Sequence, residues 1–137
     1  MHRRLRGPHA LRTGLLATVA MLPLLATAHH SFAAFDSASE KTLVGVVKEF
    51  QWTNPHSWIQ LNVADESGKV VEWAIEGNSP NILVRQGYTS KSVKGGDRVT
   101  VVVHPLKDGS AGGSLVRITL PDGKVLGSSA AAASGKR

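Results

Sequence analysis

The sequence predicts a mainly β domain, an OB-fold-like five-stranded Greek-key barrel with one short helix between strands three and four. Three observations predict it. Between residues 42 and 127, apolar residues alternate with period two in several short stretches. A proline-led segment with helical start and stop signals interrupts that alternation after Glu76. Clusters of Gly, Asp, Asn and Pro separate the stretches. The resulting order, three strands, a helix and two more strands, is that of the OB-fold, a partly open barrel.

Each element has its own signal. Thr42–Trp52 is rich in β-branched and aromatic residues and reads as a long first strand, with Gly45 marking a bulge or bend. Thr53-Asn54-Pro55 is turn chemistry. In the second strand, His56–Val63, Ile59, Leu61 and Val63 point one way. His56, Trp58, Gln60 and Asn62 point the other. Asp65–Gly68 is a hairpin turn, and the third strand, Lys69–Glu76, sends Val71, Trp73 and Ile75 inward and Glu72 and Glu76 outward. Ser79 reads as an N-cap before Pro80, with Ile82, Leu83 and Gln86 on one side of a short helix that Gly87 ends. The fourth strand, Arg98–His104, places Val99, Val101 and Val103 on one face and Thr100, Val102 and His104 on the other. The fifth, Ser114–Leu120, buries Val116, Ile118 and Leu120, and a short last strand ends near Leu126. The tail from 128 to 137 is small, polar and alanine-rich and reads as disordered.

The chain has 137 residues, with 42% apolar side chains and no cysteine. That bounds it to one core and excludes disulfides, thiolate metal sites and a cysteine nucleophile. Residues 1–12 hold Arg3, Arg4, Arg6 and Arg12 and no acid, residues 13–25 are apolar, and Ala26-Thr27-Ala28 follows. This reads as a signal peptide over 1–28, cleaved after Ala28. The apolar run falls short of the roughly 20 residues that span a bilayer. An exported, periplasmic or secreted protein is expected, with no membrane span after cleavage. Removing the four arginines of the leader takes the formal charge from +6 to +2. The mature chain therefore lacks the strongly basic character of a nucleic-acid binder. Beyond the leader, the arm spans 29–41, the barrel 42–127 and the tail 128–137.

Certain motifs carry a resemblance. His29-His30-Ser31-Phe32 directly after the leader, Asn54-Pro55-His56-Ser57-Trp58, Gly96-Asp97-Arg98-Val99 and His104-Pro105 resemble those of a family of small exported bacterial proteins catalogued as a domain of unknown function. The resemblance runs from about His29 to Gly127 and implies a periplasmic β-barrel. It implies no activity.

The histidines offer the clearest chemistry. The mature chain keeps His29, His30, His56 and His104. Cleavage after Ala28 makes His29 the first residue, so its α-amine and imidazole can chelate one metal ion together. Nitrogen ligands of this kind favour Cu(II), at the top of the affinity order for divalent ions. The loops before the second strand and after the fourth flank one cleft in an OB barrel. His56 and His104 stand at those loops. The 29–41 arm could extend about 40 Å, far enough for the N-terminus to meet either one. Asp36 is a candidate carboxylate partner. Each histidine alone also has a structural explanation, as a turn cap or a strand end.

The aromatics offer a second reading. Trp58 shares the outer face of the second strand with Gln60 and Asn62, the type of face on which OB-folds stack ligands. A glycan or a periplasmic protein is the expected partner there. Against it, Trp58 could pack under the arm with Phe32 or Phe35. Trp73 reads as core. Glu72 and Glu76 lie about 13 Å apart along their strand, too far for a glycosidase pair, and read as a solvated face. No nucleophile elbow, phosphate loop or dinucleotide fingerprint is present in the sequence. The expected function is thus a binding protein rather than an enzyme, with copper as the candidate cofactor and the Trp58 face as the alternative site. A copper-dependent redox enzyme ranks third, because it needs an open metal position beside a substrate surface. The exposed edges of such a barrel leave oligomeric state open.

Overall fold

The computed structural model describes residues 32–127. A 3-10 turn, Phe32–Ala34, opens the described chain. Six strands follow in order: β1 (Lys41–Gln51), β2 (Trp58–Ala64), β3 (Val70–Glu76), β4 (Arg98–Pro105), β5 (Gly112–Thr119) and β6 (Val125–Gly127). One short helix, α1 (Pro80–Arg85), sits between β3 and β4.

The sheet runs β3-β2-β1-β4-β5-β6, and β3 also pairs with β5. That extra parallel pairing, Ala74–Glu76 against Gly112–Ser114, closes a five-stranded barrel. Its order around the ring, β1-β2-β3-β5-β4, is the expected OB-like Greek key. β6 extends β5 outside the ring. Closure needs a close backbone approach. A Cβ on Gly113 would stand 2.8 Å from the His104 carbonyl oxygen and 2.9 Å from Val103 Cβ. A Cβ on Gly112 would meet Leu106 at 2.6 Å.

The alternation expected from sequence fills much of the interior, where Ile59, Leu61, Ile75, Val99, Val101, Val103 and Ile118 are buried. Leu43 and Val47 of β1, whose facing the sequence left open, are buried beside them. Leu83, Tyr88, Val93 and Leu126 join the same cluster from outside the ring. Trp73 packs against this core but stays partly accessible. The Tyr88 hydroxyl donates to the Leu126 carbonyl at 3.2 Å.

Several local expectations are corrected. The bulge in β1 falls between Val47 and Glu49, not at Gly45. Gly45 is required instead by contact, since a Cβ there would come 2.5 Å from the Asn62 carbonyl oxygen. β2 begins at Trp58, because Ser57 bonds to Gly77 and Asn78, in the segment after β3. On α1 only Leu83 is buried, while Ile82 is 44% exposed. The helix ends at Arg85, so Gln86 falls on its C-cap, and Ile82 stands about 100° around the axis from Leu83. The Ser79 hydroxyl makes no cap; its carbonyl accepts from Ile82 and Leu83. In β5, Val116 is only half-buried. Val102 is buried although it points outward. An Arg117–Glu40 ion pair at 3.3 Å joins β5 to the start of β1 and so crosses the β4 strand that carries it.

Candidate functional site at the arm crossing

The N-terminal arm crosses the barrel beside the β4–β5 loop. Lys107 N–H donates to the Ala34 carbonyl at 3.0 Å, and Asp36 N–H donates to Pro105 at 2.8 Å. Phe35 forms a bridge with Leu106 between these bonds and is 8% exposed. Its ring covers a row on the outer face. Trp58 stands opposite Glu76, Glu76 opposite Ser114, and Ser114 opposite His104. Opposed residues share a face, so these four side chains cross four strands together.

Glu76 is the buried member, at 7% exposure, and its carboxylate meets His56 Nδ1. The expectation of a solvated carboxylate is therefore wrong for Glu76. It holds for Glu72, which is exposed and meets Lys48 Nζ at 2.7 Å. Phe35 and the 54–57 turn make the difference, because they roof one end of the strand only.

The Asn-Pro-His-Ser-Trp motif now has a local explanation. The Asn54–Pro55 peptide bond is cis. Ser57 is 1% exposed and locks the turn onto the segment after β3. Its N–H and its hydroxyl both donate to the Asn78 carbonyl, at 3.2 and 2.9 Å, and its carbonyl accepts from Gly77 at 2.8 Å. The clamp needs glycine at 77, where a Cβ would fall 2.5 Å from Ser57 Oγ. His56, one residue before the clamp, is thereby held against Glu76.

A cavity of about 20 Å³ lies here, lined by Phe35, His56, Glu76, Gly77, Asn78, Ser114 and Leu115. That is room for one water or one small ion. A wider cleft of about 260 Å³ adjoins it and shares Phe35 and Glu76; Trp58, Leu106 and Gly112–Gly113 line the rest.

The structure brings some expected site residues together and separates others. His56 joins Glu76 rather than His104. The His104 Cα lies two strand spacings from that of Glu76, roughly 10 Å. His104 Nδ1 lies 2.8 Å from the Ser39 carbonyl oxygen. A carbonyl only accepts, so Nδ1 carries a proton and, in the neutral ring, Nε2 keeps the lone pair. His56 uses the same nitrogen toward Glu76. Asp36 turns back into the arm, accepting from the Ser39 hydroxyl at 2.6 Å and the Ala38 N–H at 3.2 Å. Gln60 and Asn62 stay on the outer face of β2, opposite Ala74 and Glu72, away from both clefts. His29, His30, the leader and the tail lie outside the described residues. Among the described residues, no three His, Asp or Glu side chains gather closely enough to hold a metal ion. Nor is any described helix long and apolar enough to cross a membrane.

Reasoning from sequence missed the burial of Glu76 and the clamp at Ser57, and offered Phe35 only as a packing partner of Trp58 under the arm. A signal for Glu76 existed. Extending the hairpin register from the Asp65–Gly68 turn sets Trp58 against Glu76. The sequence offers Phe35 as cover for Trp58, but no signal in it extends that cover to Glu76.

Fold and site define a class: small closed β-barrels with a carboxylate-held imidazole under an N-terminal arm. Residues 16–116 match the model of a family of unknown function, DUF6152, and the chain belongs to that family. Neither the curated proteins nor the solved structures yielded a match.

Proposed function

We propose that the chain is an exported, periplasmic binding protein that holds one Cu(II) ion between its mature N-terminal histidine and the His56 imidazole. The supporting observation is the His56–Glu76 pair in a cavity for a single ion, beside Phe35. A ligating histidine commonly gives its other ring nitrogen to a carboxylate, which fixes tautomer and orientation. Glu76 meets that description, leaving His56 Nε2 as the donor. His29 stands three positions before Phe32, a reach of about 10 Å. Once the leader is removed, the α-amine and imidazole of His29 supply two more nitrogens, a set that suits Cu(II). His30 and His104 are further candidate nitrogen donors. The protein binds rather than transforms.

The test is Cu(II) titration of the processed chain, followed by calorimetry and EPR, beside a control with one extra N-terminal glycine. Tight 1:1 binding with a nitrogen-rich EPR signal, lost in the control, is expected. Equal affinity in the two proteins sinks the copper reading.

A second reading is favoured by the 260 Å³ cleft, which the half-buried Trp58 lines together with the buried Phe35. It makes the row around Trp58 a contact site for a glycan or a periplasmic protein. Trp58→Ala should abolish such binding and leave copper affinity unchanged.

A further inference from the structure

On the side away from Glu76, the closed ring splays where the β1–β2 ladder ends. β1 pairs with β4 from Lys41 to Val46, but with β2 only from Val46 to Gln51. Beyond Asn62, β2 leaves β1 and stays with β3 as a projecting hairpin. The wedge between them is a groove of about 570 Å³, within the range of about 300–1,000 Å³ typical of ligand sites. Leu43, Val63, Val71 and Trp73 contribute its apolar lining. Lys41 Nζ lies 5.0 Å from the centre of the Trp73 ring, as a removable cover.

The main chain decides what fits. Val47 directs both its N–H and its C=O to the Asp97 and Gly96 turn on the β4 side, at 2.9 and 2.8 Å. In an antiparallel ladder this direction alternates along the strand. Gly45, Leu43 and Lys41 therefore bond toward β4, and Thr42 and Val44 turn their N–H and C=O toward the groove. On the other lip, Asp65 N–H bonds to Lys69 within the hairpin, so Ala64 turns its pair toward the groove as well. No ladder partner meets these groups among the described residues, and Val44 is 47% exposed. Two strand edges thus face one apolar trough.

We infer that this wedge binds an extended peptide segment of a partner protein by strand addition. Its backbone bonds to Thr42 and Val44, and its inward residues, apolar or aromatic, replace Lys41 over Trp73. A compact small molecule would leave the edge groups unmatched. An extended chain offers donors and acceptors at their spacing and sends alternate side chains inward. This inference does not depend on copper.

The test uses the processed chain and a fluorescein-labelled decapeptide alternating Thr with Val or Phe. A second peptide, N-methylated at alternate residues, keeps the side chains and removes the edge donors. Fluorescence anisotropy should report saturable binding of the first peptide and at least tenfold weaker binding of the second. Amide exchange at Thr42, Val44 and Ala64 should slow with the first alone. Val44→Pro should weaken binding by a similar factor while the far-UV spectrum stays unchanged, since that N–H makes no bond to β4. If Val44→Pro fails to fold, the peptide pair decides. Equal affinity for both peptides, or no binding of either, overturns the inference. So does concentration-dependent protection of the same amides without peptide, which would make the occupant a second copy of this chain.

Discussion

Glu76 and His56 are the residues on which the proposed chemistry turns, and each is held by a neighbour rather than by its own strand. Glu76→Gln keeps the volume of the side chain and removes its charge. By the usual effect of such outer partners, copper affinity should fall about 10- to 100-fold, with the melting temperature nearly unchanged. Calorimetric titration of the variant checks this. Ser57 fastens the turn through a buried hydroxyl bonded to Asn78. Ser57→Ala should cost about 1 kcal/mol in urea unfolding, the usual net worth of one such bond. It should also weaken copper binding, because His56 loses its anchor. The two variants separate orientation of the imidazole from stability of the turn.

At the scale of elements, α1 and the β3–β5 closure behave differently from what their residue types suggest. α1 carries three aliphatic side chains, yet only Leu83 reaches the core. Leu83→Ala should therefore cost about 2–5 kcal/mol, as deletions from a packed core do. Ile82→Ala should stay within about 0.5 kcal/mol, as surface changes do. Denaturant melts of the pair test which face of this short helix matters. The closure depends on β5 lying flush against β4 and β3. Gly113→Ala drives a methyl into the His104 carbonyl and Val103 and should destabilise by about 1–3 kcal/mol or more. The damage should extend to His104 and Ser114, visible as shifted amide resonances along the Trp58–His104 row.

For the whole molecule, stability should fall at both ends of the pH scale. At the acid end, the Ser39 hydroxyl and Ala38 N–H hold the Asp36 carboxyl below its ordinary value. The hydroxyls of Ser67 and Ser110 lower Asp65 and Asp108 similarly, with help from turn amides. The unfolded chain binds protons first at these sites, so stability begins to drop near pH 4 and is lost as pH falls through the lowered values. At the alkaline end, burial pushes the Tyr88 phenol up. The unfolded phenol ionises near pH 10, so folding is opposed increasingly above that pH. Tyr88 is the single tyrosine of the chain, which makes the readout direct. Phenolate absorbance should rise together with loss of the folded far-UV signal rather than before it. A rise near pH 10 in the still-folded protein would refute the burial of that hydroxyl.

Much of this molecule was legible in order of residues alone. Period-two alternation names its own faces, so most of the interior set from Ile59 to Ile118 and the order of strands and helix follow from pattern. Turn residues punctuate locally, so the hairpin at Asp65–Gly68 and the end of α1 at Gly87 follow too. The outward direction of Trp58 and His104 belongs with these, because facing is a local property of a strand. What only the tertiary structure decided depends on segments distant in the chain. The burial of Glu76 requires Phe35, forty-one positions earlier, to fold over it, and its contact with His56 requires Ser57 to bond to Asn78. The reason is physical: alternation specifies which face of a strand is inner, but not what else covers the outer face. The same limit hid the wedge between β1 and the β2–β3 hairpin, since each strand carries regular alternation past the point where the pair divides. Chain order specified the barrel; long-range contacts across its outer face decided where its chemistry sits.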